Sequence, residues 1–449
     1  MRIKKNLLLL ISLVISFSFC GQLFAQQDSV VLEAQTLIKK GDFKAAYTIL
    51  EPLEDARAGD IDFDYLLGIA GVESNNVTRG AFALERVLAL DPNHKDARAE
   101  MAKAHLLLGE EEAAKAEFKN VLALNPDIET KKTIEKLLTA IDKIEGTVTT
   151  FGAFLDFGLG YDTNVSSAPL ARSVTIAAGV PNFGGLVIPL DDASRAQSDH
   201  FYAMAGGVSF RHPITKILSA FGSVSGTNRI NIDKTAFDNS SLDFNAGLQL
   251  RMDKNSLSVA LQDNHFDLNG ESFRHAYGAS AQWLYDINAY NQAGVYAQYS
   301  RLNYNGGSNR NAERSIVGFN VGHVFQGDYN PIIFASIYGG REDARDVLSD
   351  FLSQDIIGFR TGGQISVSSK WQAYLSLGVE DRNHDAKDNI FLTVRNDKQY
   401  DFTVGARFSP MRDWSIKPQF SYTRNDSNTV LNDFDRQVFS INIRKDFSW

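Results

Sequence analysis

The final eleven residues, from 439 to 449, alternate apolar and polar side chains with a period of two. One face carries Phe439, Ile441, Ile443, Phe447 and Trp449, and the other carries Ser440, Asn442, Arg444, Asp446 and Ser448. Period two is that of a β-strand, whose successive side chains point to opposite faces. An aromatic end on the apolar face suits a membrane interface, where one strand face meets lipid and the other lines a wet interior. The segment therefore predicts a strand of a transmembrane β-barrel.

The N-terminus has the features of an export signal, which we assign to residues 1–25. A basic head precedes an apolar stretch from Leu7 to Phe19, and Leu23-Phe24-Ala25 is an acceptable cleavage site. The stretch is short for a retained membrane anchor, which needs about 18 apolar residues. Cys20 is the only cysteine, and the bulky Phe19 before it argues against lipidation. The mature chain therefore lacks an intramolecular disulfide and a cysteine-based metal site.

Composition favours the same class of membrane protein. Aromatic residues make up 11% of the chain, with 30 Phe and 15 Tyr, yet no run after residue 25 is long and apolar enough for a membrane helix. In an outer-membrane barrel, hydrophobicity is distributed over alternate residues, which explains this combination. The net charge of −9 and the lack of a Lys/Arg block argue against a nucleic-acid partner.

Residues 28–145 contain a helical repeat. Val87-Leu88-Ala89-Leu90-Asp91-Pro92 recurs as Val121-Leu122-Ala123-Leu124-Asn125-Pro126, at an offset of about 34 residues, the tetratricopeptide period. The predicted packing positions, small residues between helices, large residues in the groove and prolines at helix ends, are Leu67, Gly68, Gly80, Pro92, Ala102, Ala114, Phe118 and Pro126. Such a solenoid binds a protein segment or serves as a spacer, and the sequence leaves both roles open.

Residues 148–449 alternate in the manner of strands, and we predict fourteen of them, with the last strand pairing with the first near 151–161. Short turns alternate with longer polar segments, which we place at 163–198, 227–239, 264–272, 303–313, 341–353, 381–397 and 424–434. This alternation is typical of bacterial outer-membrane barrels, whereas a water-soluble β-sandwich would have a solvated second face. An even strand number puts both barrel ends on the short-turn side, which faces the periplasm.

Two features of this region allow alternative interpretations. Pro418 falls in the middle of a predicted strand, where it has no N–H for the ladder, so it marks a bulge or an error in the assigned register. The first long loop contains the apolar patches 174–180 and 186–190. This loop either folds inward as a plug, contacts a partner, or packs on the rim of its own barrel.

The sequence contains no recognisable catalytic or cofactor motif. None of the eight His residues has a partner at the HxxxH spacing, and there is neither a GxSxG motif nor a Gly-rich phosphate loop. The Asp- and Asn-rich segment 380–389 lacks the pattern of a calcium loop. We therefore predict no enzyme activity, no cofactor and no metal.

The junction between the two parts carries a family signature. A Gly-rich strand, 157–160, runs into Tyr161-Asp162-Thr163-Asn164-Val165 and then Ala168-Pro169. It resembles the start of the barrel domain of the surface lipoprotein assembly modifier (Slam) family, and the order of domains agrees over essentially the whole mature chain. The motif residues are Gly158, Gly160, Tyr161, Asp162, Asn164 and Pro169. Asp162 and Asn164 are expected to shape the turn at the strand end or, less directly, to contact a client.

The resemblance implies an outer-membrane protein that moves client lipoproteins or secreted proteins from the periplasm to the cell surface. It implies a periplasmic helical module that contacts the client or a periplasmic chaperone. Outer-membrane lipid and the barrel-assembly machinery are further expected partners. Two other functions fit the same domain order: an exopolysaccharide export barrel, which usually has a longer repeat array, and a porin-like channel, which needs no repeat module.

Overall fold

The computed structural model describes residues 29–327 and 329–449. The predicted signal peptide lies outside the described residues. The chain divides into two compact units, with the division between Val148 and Thr149. The first unit is helical and the second is a β-barrel, and each is described by itself.

The described part of the first unit consists of consecutive helices. They are α1 (Ser29–Lys39), α2 (Phe43–Leu50), α3 (Glu54–Arg57), α4 (Ile61–Glu73), α5 (Val77–Leu90), α6 (Lys95–Leu108), α7 (Glu111–Ala123) and α8 (Ile128–Glu145). Helix α5 ends two residues before Pro92, and α7 ends three residues before Pro126. Proline disfavours helical backbone in the residue before it, which explains why both helices stop there.

Three hydrophobic clusters hold these helices together. One joins α1, α2 and α4 around Leu50 and Phe63, and the second joins α4, α5 and α6 around Leu84 and Met101. The third joins α6, α7 and α8 around Phe118. Each helix pair buries its apolar stripe against the next pair, as in stacked helical repeats. None of the described helices is long and apolar enough to cross a bilayer.

Fourteen antiparallel strands close into the barrel of the second unit. They are β1 (Thr150–Asp162), β4 (Asp199–Pro213), β5 (Leu218–Asn231), β6 (Asn239–Met252), β7 (Asn255–Leu268), β8 (Glu271–Asp286), β9 (Asn291–Tyr304), β10 (Ala312–Val324), β11 (Ile332–Ala344), β12 (Gln354–Ser366), β13 (Trp371–Lys387), β14 (Val394–Phe408), β15 (Trp414–Ser427) and β16 (Phe434–Ser448). Two short strands, β2 (Ser173–Thr175) and β3 (Val187–Pro189), form a hairpin inside the first long loop. The predicted class, a tetratricopeptide solenoid followed by a fourteen-stranded transmembrane barrel, is confirmed.

The barrel closes where β1 pairs with β16. The pairing runs from Gly152 opposite Ser448 to Asp162 opposite Val438, and the other edge of β1 pairs with β4. Four apolar side chains of β16 remain exposed on the outer wall, Phe439, Ile441, Ile443 and Phe447, and so does Trp449 directly after the strand. A barrel wall that faces lipid exposes such side chains.

The strands are longer than the sequence pattern predicts. They contain 13 to 17 residues, whereas crossing the hydrocarbon layer takes about 9–11. The predicted loop at 264–272 is wrong, because β7 and β8 are joined only by Asn269 and Gly270. Both residues have positive φ, 53° and 76°, as in a two-residue Asn-Gly hairpin turn. Polar residues beyond the lipid band continue the strands and do not form loops.

Pro418 neither bulges the strand nor shifts the register. It lies within β15 opposite Ile441 of β16. On its other side, β15 pairs with β14 at Gly405 and again at Phe408 in one constant register, with the two positions between them unpaired. The missing N–H of proline accounts for this local gap.

Candidate functional site

The family junction motif lies at the loop end of β1, and its centre is the buried carboxylate of Asp162. The Asp162 side chain has no exposed surface. Arg436 of β16 donates to it from Nε at 3.0–3.1 Å and from Nη2 at 2.6 Å, and Arg229 of β5 donates from Nη2 at 2.8 Å. One carboxylate thus binds two guanidinium groups from different strands. Charge-assisted bonds of this kind are among the strongest side-chain interactions, and they tie together the seam of the barrel.

Asn164 shapes the turn that follows. Its backbone N–H donates to Asp162 Oδ1 at 2.9 Å, and its side-chain Nδ2 donates to the carbonyls of Ala168 (2.8 Å) and Asp435 (2.9 Å). The amide of Ala168 donates back to Asn164 Oδ1 at 3.0 Å. Asn164 is almost fully buried, so these bonds satisfy polar groups that would otherwise be left without water. The turn is therefore anchored to β16 as well as to β1.

Close packing surrounds the carboxylate. The guanidinium of Arg229 lies 3.8 Å from the ring centroid of Phe201. Gly160 lies where a Cβ would come within 2.4 Å of both the Phe201 ring and the carbonyl oxygen of Phe439. Any larger residue at 160 would push β1 away from its two neighbours, so glycine is required by space and not by backbone conformation.

The other residues of the junction motif, Gly158, Tyr161 and Pro169, contact neighbouring strands and the first long loop. Gly158 leaves room for the Asn442 amide, which would otherwise lie 2.6 Å from a Cβ. The ring centroids of Tyr161 and His200 are 4.9 Å apart, and the carbonyl of buried Pro169 accepts a hydrogen bond from the amide of Ala196 at 3.1 Å. Sequence reasoning missed the two arginine partners, because 274 residues separate Asp162 from Arg436 and only barrel closure brings them together.

The barrel lumen contains a cavity of about 790 Å³. Its charged lining residues are Asp243, Asp263, Arg274, Arg314, Arg360, Glu380 and Arg382. Arg314 pairs with Glu342, and the hydroxyl of Tyr338 donates to Glu380 at 2.7 Å. The lumen cavity thus presents charges of both signs, an environment that hydrated polar groups can occupy.

The first long loop, residues 163–198, packs on the barrel's own rim in part. The amide of Ala177 donates to the carbonyl of Ile390 in the β13–β14 loop at 3.0 Å, and Val174 is buried. Three large apolar side chains beyond this contact, Phe183, Leu186 and Val187, are each at least half exposed.

The helical unit places the predicted packing residues at contacts between helices. Leu67, Gly68, Gly80, Ala102, Ala114 and Phe118 are all buried. Charged groups are buried among them: Arg86 donates to Asp64 at 2.7 Å, and Lys103 pairs with Glu73. These pairs satisfy charges that close helix packing removes from water.

Glu100 of α6 is a buried acid without such a pair. It is 6% exposed, and its Oε2 atom has no hydrogen-bond partner among the described residues. Burial, with a smaller contribution from the negative charge of Asp96, raises the pKa of Glu100 to about 7. The protonated form is therefore well populated in the folded module near neutral pH and dominates below it.

This shift predicts a pH-dependent stability of the helical module. Because the folded pKa is raised, the stabilising contribution is complete below about pH 4.5 and is lost as pH rises through about 7. The shift corresponds to at most about 3 kcal/mol. We expect Glu100→Gln to raise the unfolding temperature of a fragment covering residues 28–148 at pH 8, and to change it little at pH 5, as measured by circular dichroism.

Glu112→Gln on the exposed face of α7 is the matched control, and it should leave the pH profile unchanged. An identical pH profile for native protein and Glu100→Gln would contradict the assignment of the shift to Glu100.

Comparison with solved structures gives distant matches for each unit. A FadL homologue from Pseudomonas aeruginosa is 11% identical, with 66% of this chain and 89% of that chain covered and a TM-score of 0.36. The first TPR domain of human RPAP3 is 18% identical, covering 26% of this chain and 94% of that domain (TM-score 0.24). The Yersinia enterocolitica type III secretion translocator chaperone SycD is also 18% identical, covering 26% and 91% (TM-score 0.24). No curated protein matches the chain in sequence.

Family models match both units directly. The tetratricopeptide repeat model matches residues 72–137, which lie between the end of α4 and the middle of α8. The surface lipoprotein assembly modifier model matches residues 160–447, more than half of the chain and nearly the whole barrel. The match begins at Gly160 and includes Tyr161, Asp162, Asn164 and Pro169, whereas Gly158 lies just before it. The chain is an outer-membrane barrel protein that belongs to the surface lipoprotein assembly modifier family.

Proposed function

We propose that this protein moves specific client proteins, surface lipoproteins or related secreted proteins, from the periplasm to the cell surface. The observation that carries the proposal is the union, in one chain, of a tetratricopeptide module with a barrel of the surface lipoprotein assembly modifier family. A porin-like channel would need only the second of these parts.

In this proposal the barrel supplies the path across the membrane. The lumen cavity is lined by charges of both signs, which suits a hydrated polypeptide better than an apolar one. On the outer side, the exposed apolar residues Phe183, Leu186 and Val187 of the first loop offer a surface for the emerging client. Folding of the client outside the cell would then bias movement in one direction without nucleotide hydrolysis.

The helical module would capture the client, or a chaperone carrying it, in the periplasm. We assign residues 1–25 to the signal peptide, 28–145 to this periplasmic domain and 148–449 to the barrel domain. An even number of strands supports this placement, because β1 begins and β16 ends on the short-turn side of the barrel. Tetratricopeptide modules bind extended protein segments in grooves between their helices.

Deletion of residues 28–145 tests the proposal. We expect surface exposure of the client to be lost while the barrel still folds, because the barrel has its own closed sheet. The client is first identified by crosslinking to the full-length protein, and its exposure is then measured by protease and antibody access in intact cells. Barrel folding is checked by the heat-dependent shift of mobility in SDS gels.

Undiminished display of the client by a correctly folded truncated barrel would contradict a required periplasmic module. A channel would be supported by a different pair of results. The full-length protein would conduct small solutes, and deletion of the whole protein would leave client display unchanged. A variant in which an unrelated helical domain replaces residues 28–145 is the control. It separates loss of the specific module from the mere absence of a folded domain before the barrel.

A further inference from the structure

The hairpin of β7 and β8 brings together two histidines that are ten residues apart in the sequence. Its two-residue turn, Asn269-Gly270, and a bulge next to Phe266 set the register so that His265 lies directly opposite His275. Sequence spacing alone hides this pair, because a cross-strand pair depends on the turn and the bulge. The Asn-Gly dipeptide is the local signal from which the hairpin can be recognised.

The two imidazole rings are aimed at one carboxylate. Their centroids are 4.1 Å apart and their planes differ by 10°. Nε2 of His265 lies 3.0 Å from Oδ1 of Asp263, and Nε2 of His275 lies 2.7 Å from Oδ2. One potential ligand atom from each of the three residues lies within 4.8 Å of the other two.

We propose that Asp263, His265 and His275 bind a divalent transition-metal ion of the zinc class. Two imidazoles and a carboxylate are a common zinc ligand set, with metal–ligand distances of about 2.0–2.2 Å. Donor atoms around such an ion are roughly 3–3.5 Å apart, so small side-chain rotations would bring these three into place. A fourth position is left for water or a ligand from a partner.

The position of the site makes it accessible. On β7, the exposed apolar residues Leu257, Val259 and Leu261 share the outward face with Asp263 and His265. The three ligands therefore lie on the outer wall, immediately past the apolar band on the side of the long loops. Their side chains are between 33% and 46% exposed. A metal bound here would link two neighbouring strands just above the membrane.

Both histidines lie outside the lining of the lumen cavity, and only Asp263 also borders it, so the site differs from the proposed transport path. The metal proposal does not depend on the proposed function. A bound metal ion would cross-link the two strands of the hairpin. Like any ligand that binds only the folded state, it would stabilise the folded barrel. The measurable consequences are saturable metal binding and a metal-dependent rise in barrel stability.

Metal titration of the full-length protein, purified in detergent without a histidine tag and stripped with chelator, tests the proposal. We expect one Zn²⁺ per chain by calorimetry and visible d–d absorption with Co²⁺. The variants His265→Ala and His275→Ala should each weaken Zn²⁺ binding by at least about tenfold. Removal of a residue that only hydrogen-bonds to a metal ligand already weakens metal binding by about that factor, and these two residues are proposed to bind the metal directly. His323→Ala is the matched control, because His323 lies in β10 and contacts Asn291 at 2.7 Å.

The variant His275→Gln keeps a polar side chain at the same position and guards against loss of folding, which is checked by heat-dependent gel mobility. Zn²⁺ should raise the unfolding temperature of the native protein and of His323→Ala, but not that of His275→Gln. Absence of a Co²⁺ spectrum, or equal Zn²⁺ affinity in the native protein and in His265→Ala, would overturn the proposal.

Discussion

Replacement of Asp162 by alanine is expected to destabilise the barrel by about 3–5 kcal/mol, because it leaves two partly buried cations without their fully buried counter-charge. Arg229 and Arg436 would keep their positions near the seam, with the Asn164 amide also losing its acceptor. Assembly into the membrane should fall, and the heat-dependent mobility shift should occur at a lower temperature. The midpoint of that shift is the measurement.

Asp156→Ala is the matched control, since Asp156 lies on the same strand and the same lumen face. Its carboxylate accepts one bond, from the neutral amide of Asn442 at 2.8 Å, so a loss of only about 1 kcal/mol is expected. A double variant, Asp162→Ala with Arg436→Ala, should be less destabilised than the sum of the two single changes. Equal effects of Asp162→Ala and Asp156→Ala would contradict a central role for the Asp162 cluster.

The fold follows from local pattern to a large extent. Alternation of apolar and polar residues with period two identifies all fourteen strands, and the 34-residue offset identifies the repeats, because both signals are repeated many times along the chain. The outer ends of the strands are harder to predict. From Asp263 to Leu268 the outward face becomes polar once it leaves the lipid, so the residues that continue β7 have the composition of a loop.

The candidate site was predictable only in part, for a different reason. The turn around Asp162 and Asn164 is visible in the sequence as a motif, but its function as an ion-pair centre depends on contacts with strands far along the chain. Arg229 is 67 residues away and Arg436 is 274 residues away. Lumen arginines occur on many strands, and only the barrel's closure and register select these two. Long-range pairing of this kind leaves no local signature.

Replacement of Gly80 by valine is expected to unfold the helical module while the barrel stays intact. A Cβ at position 80 would lie 2.7 Å from the backbone nitrogen of Val72 and 2.8 Å from the carbonyl oxygen of Gly68. Both obstacles are backbone atoms of α4, so α4 and α5 must move apart and weaken the core around Leu84. Overpacking typically costs about 1–3 kcal/mol and more when backbone must shift.

Helix propensity acts in the opposite direction but is too small to compensate, because replacing glycine in a helix gains at most about 1 kcal/mol. Glu85→Ala on the exposed face of the same helix is the control for a substitution that leaves helix packing unchanged, and it should leave stability within about 0.5 kcal/mol of the native value. Limited proteolysis of the purified protein is the measurement: Gly80→Val should expose residues 29–145 to rapid cleavage and leave a heat-modifiable barrel fragment. Because the helical module and the barrel are two compact units, loss of the module should leave the barrel folded. Native-like protease resistance in Gly80→Val would mean that α4 and α5 separate at little cost, and the close approach at Gly80 would then not be what holds the repeat together.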